Sequence, residues 1–107
     1  MLSIKLGAKL VGLKTEILVG LLIIEKVIES YGFDTVITEG TGGQHMPNSL
    51  HYKGLAVDIR SKTLNLPTNK QNVIKEAKLF LGDEYDFIIE NEGQLNEHFH
   101  LEFQPKG

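Results

Sequence analysis

Six residues near the end of the chain, His98-Phe99-His100-Leu101-Glu102-Phe103, alternate without a break between polar and apolar side chains. A period of two belongs to a β-strand with one buried face, because successive side chains leave a pleated strand on opposite sides. The strand predicted over His98–Gln104 therefore turns Phe99, Leu101 and Phe103 to a core. His98, His100 and Glu102 share the other face. Two imidazoles and a carboxylate on one face are chemistry as well as structure, and the remaining segments have to build a sheet around them.

Three other segments read as strands. Leu55 to Arg60 alternates, with Leu55, Val57 and Ile59 on one side and Ala56, Asp58 and Arg60 on the other. Thr35–Glu39 is rich in β-branched residues, and Tyr85–Glu90 is joined to the last strand by a hairpin-like loop at Asn91–Asn96. Two segments have helical spacing. After Thr15 as N-cap, apolar residues recur at Leu18, Leu21, Leu22, Ile24, Val27, Ile28 and Tyr31, with Glu25, Lys26, Glu29 and Ser30 opposite and Gly32 as the stop. Pro67-Thr68-Asn69 opens the second helix, whose core residues are Val73, Ile74, Ala77, Leu79 and Phe80 and whose stop is Gly82. Residues 1–14 are coil or a short strand, and a glycine-rich loop runs from Gly40 to about Asn48. The order α-β-β-α-β-β predicts an α+β fold: a mostly antiparallel sheet with helices packed on one face. A length of 107 residues suits one domain, 1–107.

Composition removes several functions. Eleven Lys and Arg against fourteen Asp and Glu leave a net charge of −3, the wrong balance for gripping phosphates, so no nucleic-acid partner is expected. The chain has no cysteine, which excludes disulfides, thiolate metal sites and a cysteine nucleophile. The longest apolar run, Ile17–Ile24, contains Gly20 and is far short of the about 20 residues a membrane helix needs. Membrane insertion is not expected. No signal peptide is read at the start, which implies cytoplasmic synthesis, and a monomer is expected.

His51 lies seven residues before Asp58, at the entrance of the strand that carries it. If that strand lies close to the last one, His51, Asp58 and His100 converge, and two imidazoles with a carboxylate suit a zinc ion with a fourth position open. Hydrolysis at such a site also needs a group that takes a proton from water. Glu97, three residues before His100, and Glu90, at the end of the neighbouring strand, both qualify; His45 and His98 are candidates for holding an oxyanion or shuttling a proton. Simpler readings exist for the individual residues. Asp58 can serve as an ion-pair partner of Arg60, and Gly40-Thr41-Gly42-Gly43 lacks the spacing of a phosphate-binding loop and reads as a flexible connection.

Ser49-Leu50-His51-Tyr52-Lys53-Gly54-Leu55-Ala56-Val57-Asp58 resembles the S-x-H-x-x-G-x-A-x-D motif of the zinc D-Ala-D-Ala peptidases, which include D,D-carboxypeptidases, D,D-dipeptidases and phage endolysins. Glu97-His98-Phe99-His100 is similar to their second motif. The signalling domain of hedgehog proteins is also similar, through Thr38-Glu39-Gly40, His45, Ser49 to Tyr52, Gly54, Ala56 to Ile59, and His98-x-His100. The resemblance covers roughly residues 35–103.

This resemblance implies a hedgehog/DD-peptidase fold, one Zn2+ per chain with His51, Asp58 and His100 as ligands, and hydrolysis of peptidoglycan stem peptides or cross-links by an endopeptidase or carboxypeptidase. The peptidase pattern puts the catalytic carboxylate on Glu97, which is favoured, and the hedgehog pattern puts it on Glu90. His45 and His98 match histidines flanking the metal. Thr38 to Gln44 lacks the Arg that many cell-wall members use to read a substrate carboxylate, which favours endopeptidase action. The hedgehog calcium cluster is not matched. The alternative function is a zinc-stabilised binding module without hydrolysis, and the implied setting is a phage-encoded enzyme reaching the cell wall after release or in the virion.

Overall fold

In the computed structural model, which describes residues 1–105, five strands join into one sheet. They are β1 (Leu2–Ile4), β2 (Thr35–Glu39), β3 (Ala56–Arg60), β4 (Tyr85–Glu90) and β5 (His98–Phe103), in the spatial order β1-β2-β3-β5-β4. β2–β3, β3–β5 and β5–β4 pair antiparallel and β1 joins β2 in parallel, so the fold is α+β with a mixed, mostly antiparallel sheet. Two helices, α1 (Thr15–Ser30) and α2 (Pro67–Leu81), complete it. Among the described residues no helix is long and apolar enough to cross a membrane.

Both helices contribute to a single core with one side of the sheet. Ile17, Leu21, Ile24, Val27 and Ile28 of α1 and Val73, Ile74, Ala77 and Leu81 of α2 meet Ile37, Val57, Ile59, Phe87, Phe99 and Leu101. The odd-numbered residues of β3 and β5 therefore face the helices, and the even-numbered ones face outward. A slip of one residue would reverse both sets, so burial of Phe99 and Leu101 fixes the position of the histidines as well.

The helix faces differ from the stripes expected from the sequence. Leu18 and Leu22 are exposed, and Ile17 and Gly20 are buried in their place. The first helix carries apolar residues on both stripes, and Gly20 selects which one meets the sheet. A Cβ at Gly20 would lie 3.0 Å from side-chain atoms of Leu101 and Tyr85, so the missing side chain allows α1 to approach β4 and β5 closely. In α2, Leu79 and Phe80 are exposed and Leu81 is buried, because the buried row continues from Val73, Ile74 and Ala77 to 81. Thr15 is not a capping side chain: Lys14 is the N-cap without a side-chain cap bond, and its backbone N–H donates to the Gly54 carbonyl at 2.9 Å.

That last bond joins the N-terminal loop to the turn that carries His51. Gly54 has φ +74°, and a Cβ there would sit 2.0 Å from the Gly12 carbonyl oxygen, so this position needs both left-handed backbone and an absent side chain. Gly54→Ala is therefore expected to cost more than the about 1–3 kcal/mol of a strained φ alone, and to lower Tm by about 4–8 °C for each kcal/mol. Thermal unfolding monitored by circular dichroism checks this; an unchanged Tm would contradict the packing described.

Candidate metal centre

His51 stands in a tight turn between β2 and β3. Backbone bonds from Tyr52 to Ser49, Lys53 to Leu50 and Gly54 to His51 close the turn, and the Ser49 hydroxyl accepts the His51 backbone N–H at 3.1 Å. The turn aims the ring at the outer face of β3. There Asp58 sits directly opposite His100 in the β3–β5 ladder, and Arg60 sits opposite His98. At the other edge of β5, Glu90 pairs with His98. Register alone thus gathers Asp58, His98, His100 and Glu90 on neighbouring strands, and the turn adds His51 from above.

His51 Nε2 is 3.3 Å from Asp58 Oδ1, and His100 Nδ1 is 2.9 Å from the same oxygen. One donor atom from each of the three lies within 4.8 Å of the others. Zinc bonds of about 2.0–2.2 Å at tetrahedral angles hold donor atoms about 3.3–3.5 Å apart, so small adjustments would seat an ion among these side chains. The His51 Nδ1–H donates to the Gly40 carbonyl at 2.8 Å, leaving Nε2 to face Asp58. His100 is held on its far side by Glu102, with Nε2 at 2.8 Å from Oε1. Such outer contacts fix ring orientation and tautomer at metal sites.

Electrostatics hold the centre in a charged form. Burial acts to raise the Asp58 pKa, but hydrogen bonds from His100 and His51, with the charges of His51 and His98, outweigh it and hold the carboxyl well below the usual range. Burial acts to lower the His100 pKa, but hydrogen bonds to Asp58 and Glu102, with the charges of Asp58 and Glu90, raise it to about 9. His51 is also raised: Asp58 and the Gly40 carbonyl overcome the opposing effect of burial.

The remaining candidates separate clearly. A cleft of about 790 Å³ is lined by His45, His51, Asp58, Glu90, His98, His100 and Glu102, among others. His45 stacks on His51 with ring centres 4.0 Å apart and planes 3° from parallel. Glu90 Oε1 is 2.9 Å from His98 Nε2 and 3.6 Å from His100 Nδ1. Asp58 pairs with histidines and not with Arg60.

Glu97, the carboxylate favoured from the sequence, does not join this group. Its Oε1 accepts from Ser61 Oγ and Lys70 Nζ, both at 2.6 Å, and its Oε2 accepts from the Gly93 N–H at 2.9 Å. The physical reason is parity: Glu97 is one residue from His98 and shares the side of Phe99, where α2 supplies Lys70. Burial acts to raise its pKa, but Gly93, Lys70 and Ser61 bring it down to about 2. It is an anchor for the β4–β5 hairpin. The supporting role of Glu102 was open to the same parity argument, whereas the Gly40 and Asn96 carbonyls that orient His51 and His98 leave no mark on side-chain sequence.

In protein kept in a chelator, the His100 ring signals are expected to titrate around pH 9, and Asp58→Asn to bring them back toward 6.5. The raised pKa stabilises the fold fully below about pH 6.5, and that contribution is lost as pH rises through about 9. NMR titration of the imidazole resonances checks both statements; a wild-type ring titrating near 6.5 would contradict the pairing with Asp58.

Comparison of the chain with protein-family models, with curated proteins and with solved structures finds no match.

Proposed function

We propose that this chain is a zinc-dependent peptidase with a hedgehog/DD-peptidase type of fold, acting on stem peptides or cross-links of peptidoglycan. The observation that carries the reading is a half-open carboxylate, Glu90, beside a three-donor His51–Asp58–His100 set in one open cleft. The substrate class rests on the resemblance of the Ser49–Asp58 and Glu97–His100 motifs to cell-wall peptidases.

His51, Asp58 and His100 would hold the zinc ion, which would supply Lewis-acid chemistry toward a peptide carbonyl and a water. Glu90 is the general base in this proposal, in place of Glu97. Its half-exposed carboxylate lines the cleft, where it would accept the proton of the attacking water and return it to the leaving amine. His98 positions Glu90 through the 2.9 Å contact between its Nε2 and Glu90 Oε1. His45 supports the His51 ring by stacking. The position of Glu90 at the end of β4 follows the hedgehog pattern, and this favours a second reading, a zinc-stabilised binding module without hydrolysis.

Paired variants decide between these readings. The purified protein is expected to hold one zinc per chain and to release new termini from peptidoglycan, detected by mass spectrometry. Glu90→Gln keeps the metal and loses activity by about a hundredfold or more. Glu97→Gln keeps activity per folded molecule but loses stability, because Lys70 is left without its carboxylate. The wild-type contribution of Glu97 is present above about pH 4.5 and is lost as pH falls toward about 2, so the gap in Tm between wild type and Glu97→Gln closes in acid. Full activity in Glu90→Gln would remove it as the base. Zinc binding without hydrolysis of any wall type would favour the binding module.

A further inference from the structure

Beside the His51–Asp58–His100 set, a second group of donors meets at the same carboxylate: Asp58, Glu90 and His98, each offering one atom within 4.8 Å of the others. His98 Nε2 is 2.9 Å from Glu90 Oε1 and 3.7 Å from Asp58 Oδ1. These separations bracket the about 3.3–3.5 Å spacing of donors around a tetrahedral zinc. The orientation of His98 is independently fixed. Its Nδ1 is 2.8 Å from the Asn96 carbonyl oxygen, which accepts only, so Nδ1 carries the proton there. In the neutral ring, Nε2 is then a lone pair aimed at two carboxylates. His100 Nδ1 stands 2.9 Å from Asp58 Oδ1 and 3.6 Å from Glu90 Oε1, so its N–H serves both carboxylates until a first cation takes that nitrogen; three acceptors would then converge, an arrangement that a second cation completes.

We propose that Asp58, Glu90 and His98 form a second, weaker divalent-cation site that shares Asp58 with the first and switches the enzyme off when it fills. The regulatory part rests on the peptidase reading above, because it is Glu90's role as base that the second ion removes. A carboxylate that shares its lone pairs with a zinc ion no longer accepts a proton from water at neutral pH. Both sets approach Asp58 at the same oxygen, Oδ1, so the Asp58 carboxylate would bridge the two ions, and paired metal sites with ions about 3.5–4 Å apart are a common arrangement. The second set is weaker for two reasons. Glu90 and His98 are more open to solvent than His51 and His100, and Asp58 is already committed to a first cation.

The test is a zinc titration of the whole chain at pH 8, following bound metal by equilibrium dialysis and the imidazole nitrogens by NMR. The first equivalent is expected to shift His51 Nε2 and His100 Nδ1, and the second to shift His98 Nε2. Binding saturates at two ions in wild type and at one in His98→Ala and in Glu90→Gln, while activity of the wild type on peptidoglycan peaks near one equivalent and falls toward zero as the second ion binds. Saturation at one ion, with His98 unmoved, overturns the second site and leaves the peptidase reading intact. A second ion that persists in both variants overturns it as well, by locating that ion elsewhere. Two ions with undiminished hydrolysis overturn the regulatory part. A chain that binds no zinc overturns both readings. The His98 shift is read in wild type, so it decides the matter even if a variant fails to fold.

Discussion

A carboxylate on the central strand of a sheet stays ionised only if positive charge or good donors stand against it. Asp58 occupies that position, nearly buried on β3, and its oxygen Oδ1 is approached by His51, His98 and His100 at 3.3, 3.7 and 2.9 Å. Much of the outer face is arranged around this demand. The Ser49–Gly54 turn brings His51 over the strand, the antiparallel register sets His100 opposite Asp58, and Gly54 lets the N-terminal loop press against the turn. A centre of this kind is costly to bury without a cation or proton, and its three donor atoms are placed compatibly with a metal ion.

The sheet separates two kinds of work. On the helix side, Phe87, Phe99 and Leu101 are fully buried, and the Lys70–Glu97 pair ties the β4–β5 hairpin to α2. On the outer side are the groups that can react. The β4–β5 register sets where Glu90 and His98 lie, and Glu97 holds the loop that joins the two strands from the face opposite the cleft.

Much of this was legible in the sequence. Alternation in 98–103 gave β5 and both of its faces, and the His51-to-Asp58 spacing supplied the rest of the donor set. The preference for Glu97 rests on the resemblance to the peptidase pattern, whereas parity puts its side chain on the other side of the strand from His100, against Ser61 and Lys70. Glu90 is legible as the carboxylate that closes the neighbouring strand, and the register that pairs it with His98 across the hairpin brings it to the cleft. The buried stripe of α1 was ambiguous for a different reason. Leu18 and Leu22 are as apolar as Ile17 and Leu21, and the choice is made by the close approach at Gly20, visible only when β4 and β5 are in place. The parallel pairing of β1 with β2 joins three residues to a partner some thirty positions away, beyond any local pattern.

The central claim is that one carboxylate and two histidines of this face hold a metal ion. Anomalous diffraction at the zinc absorption edge, from crystals grown with one equivalent of zinc, tests it most directly. The account predicts a single strong peak about 2.0–2.2 Å from His51 Nε2, an Asp58 carboxylate oxygen and His100 Nδ1. A peak coordinated by other residues, or no peak at stoichiometric zinc, would contradict it.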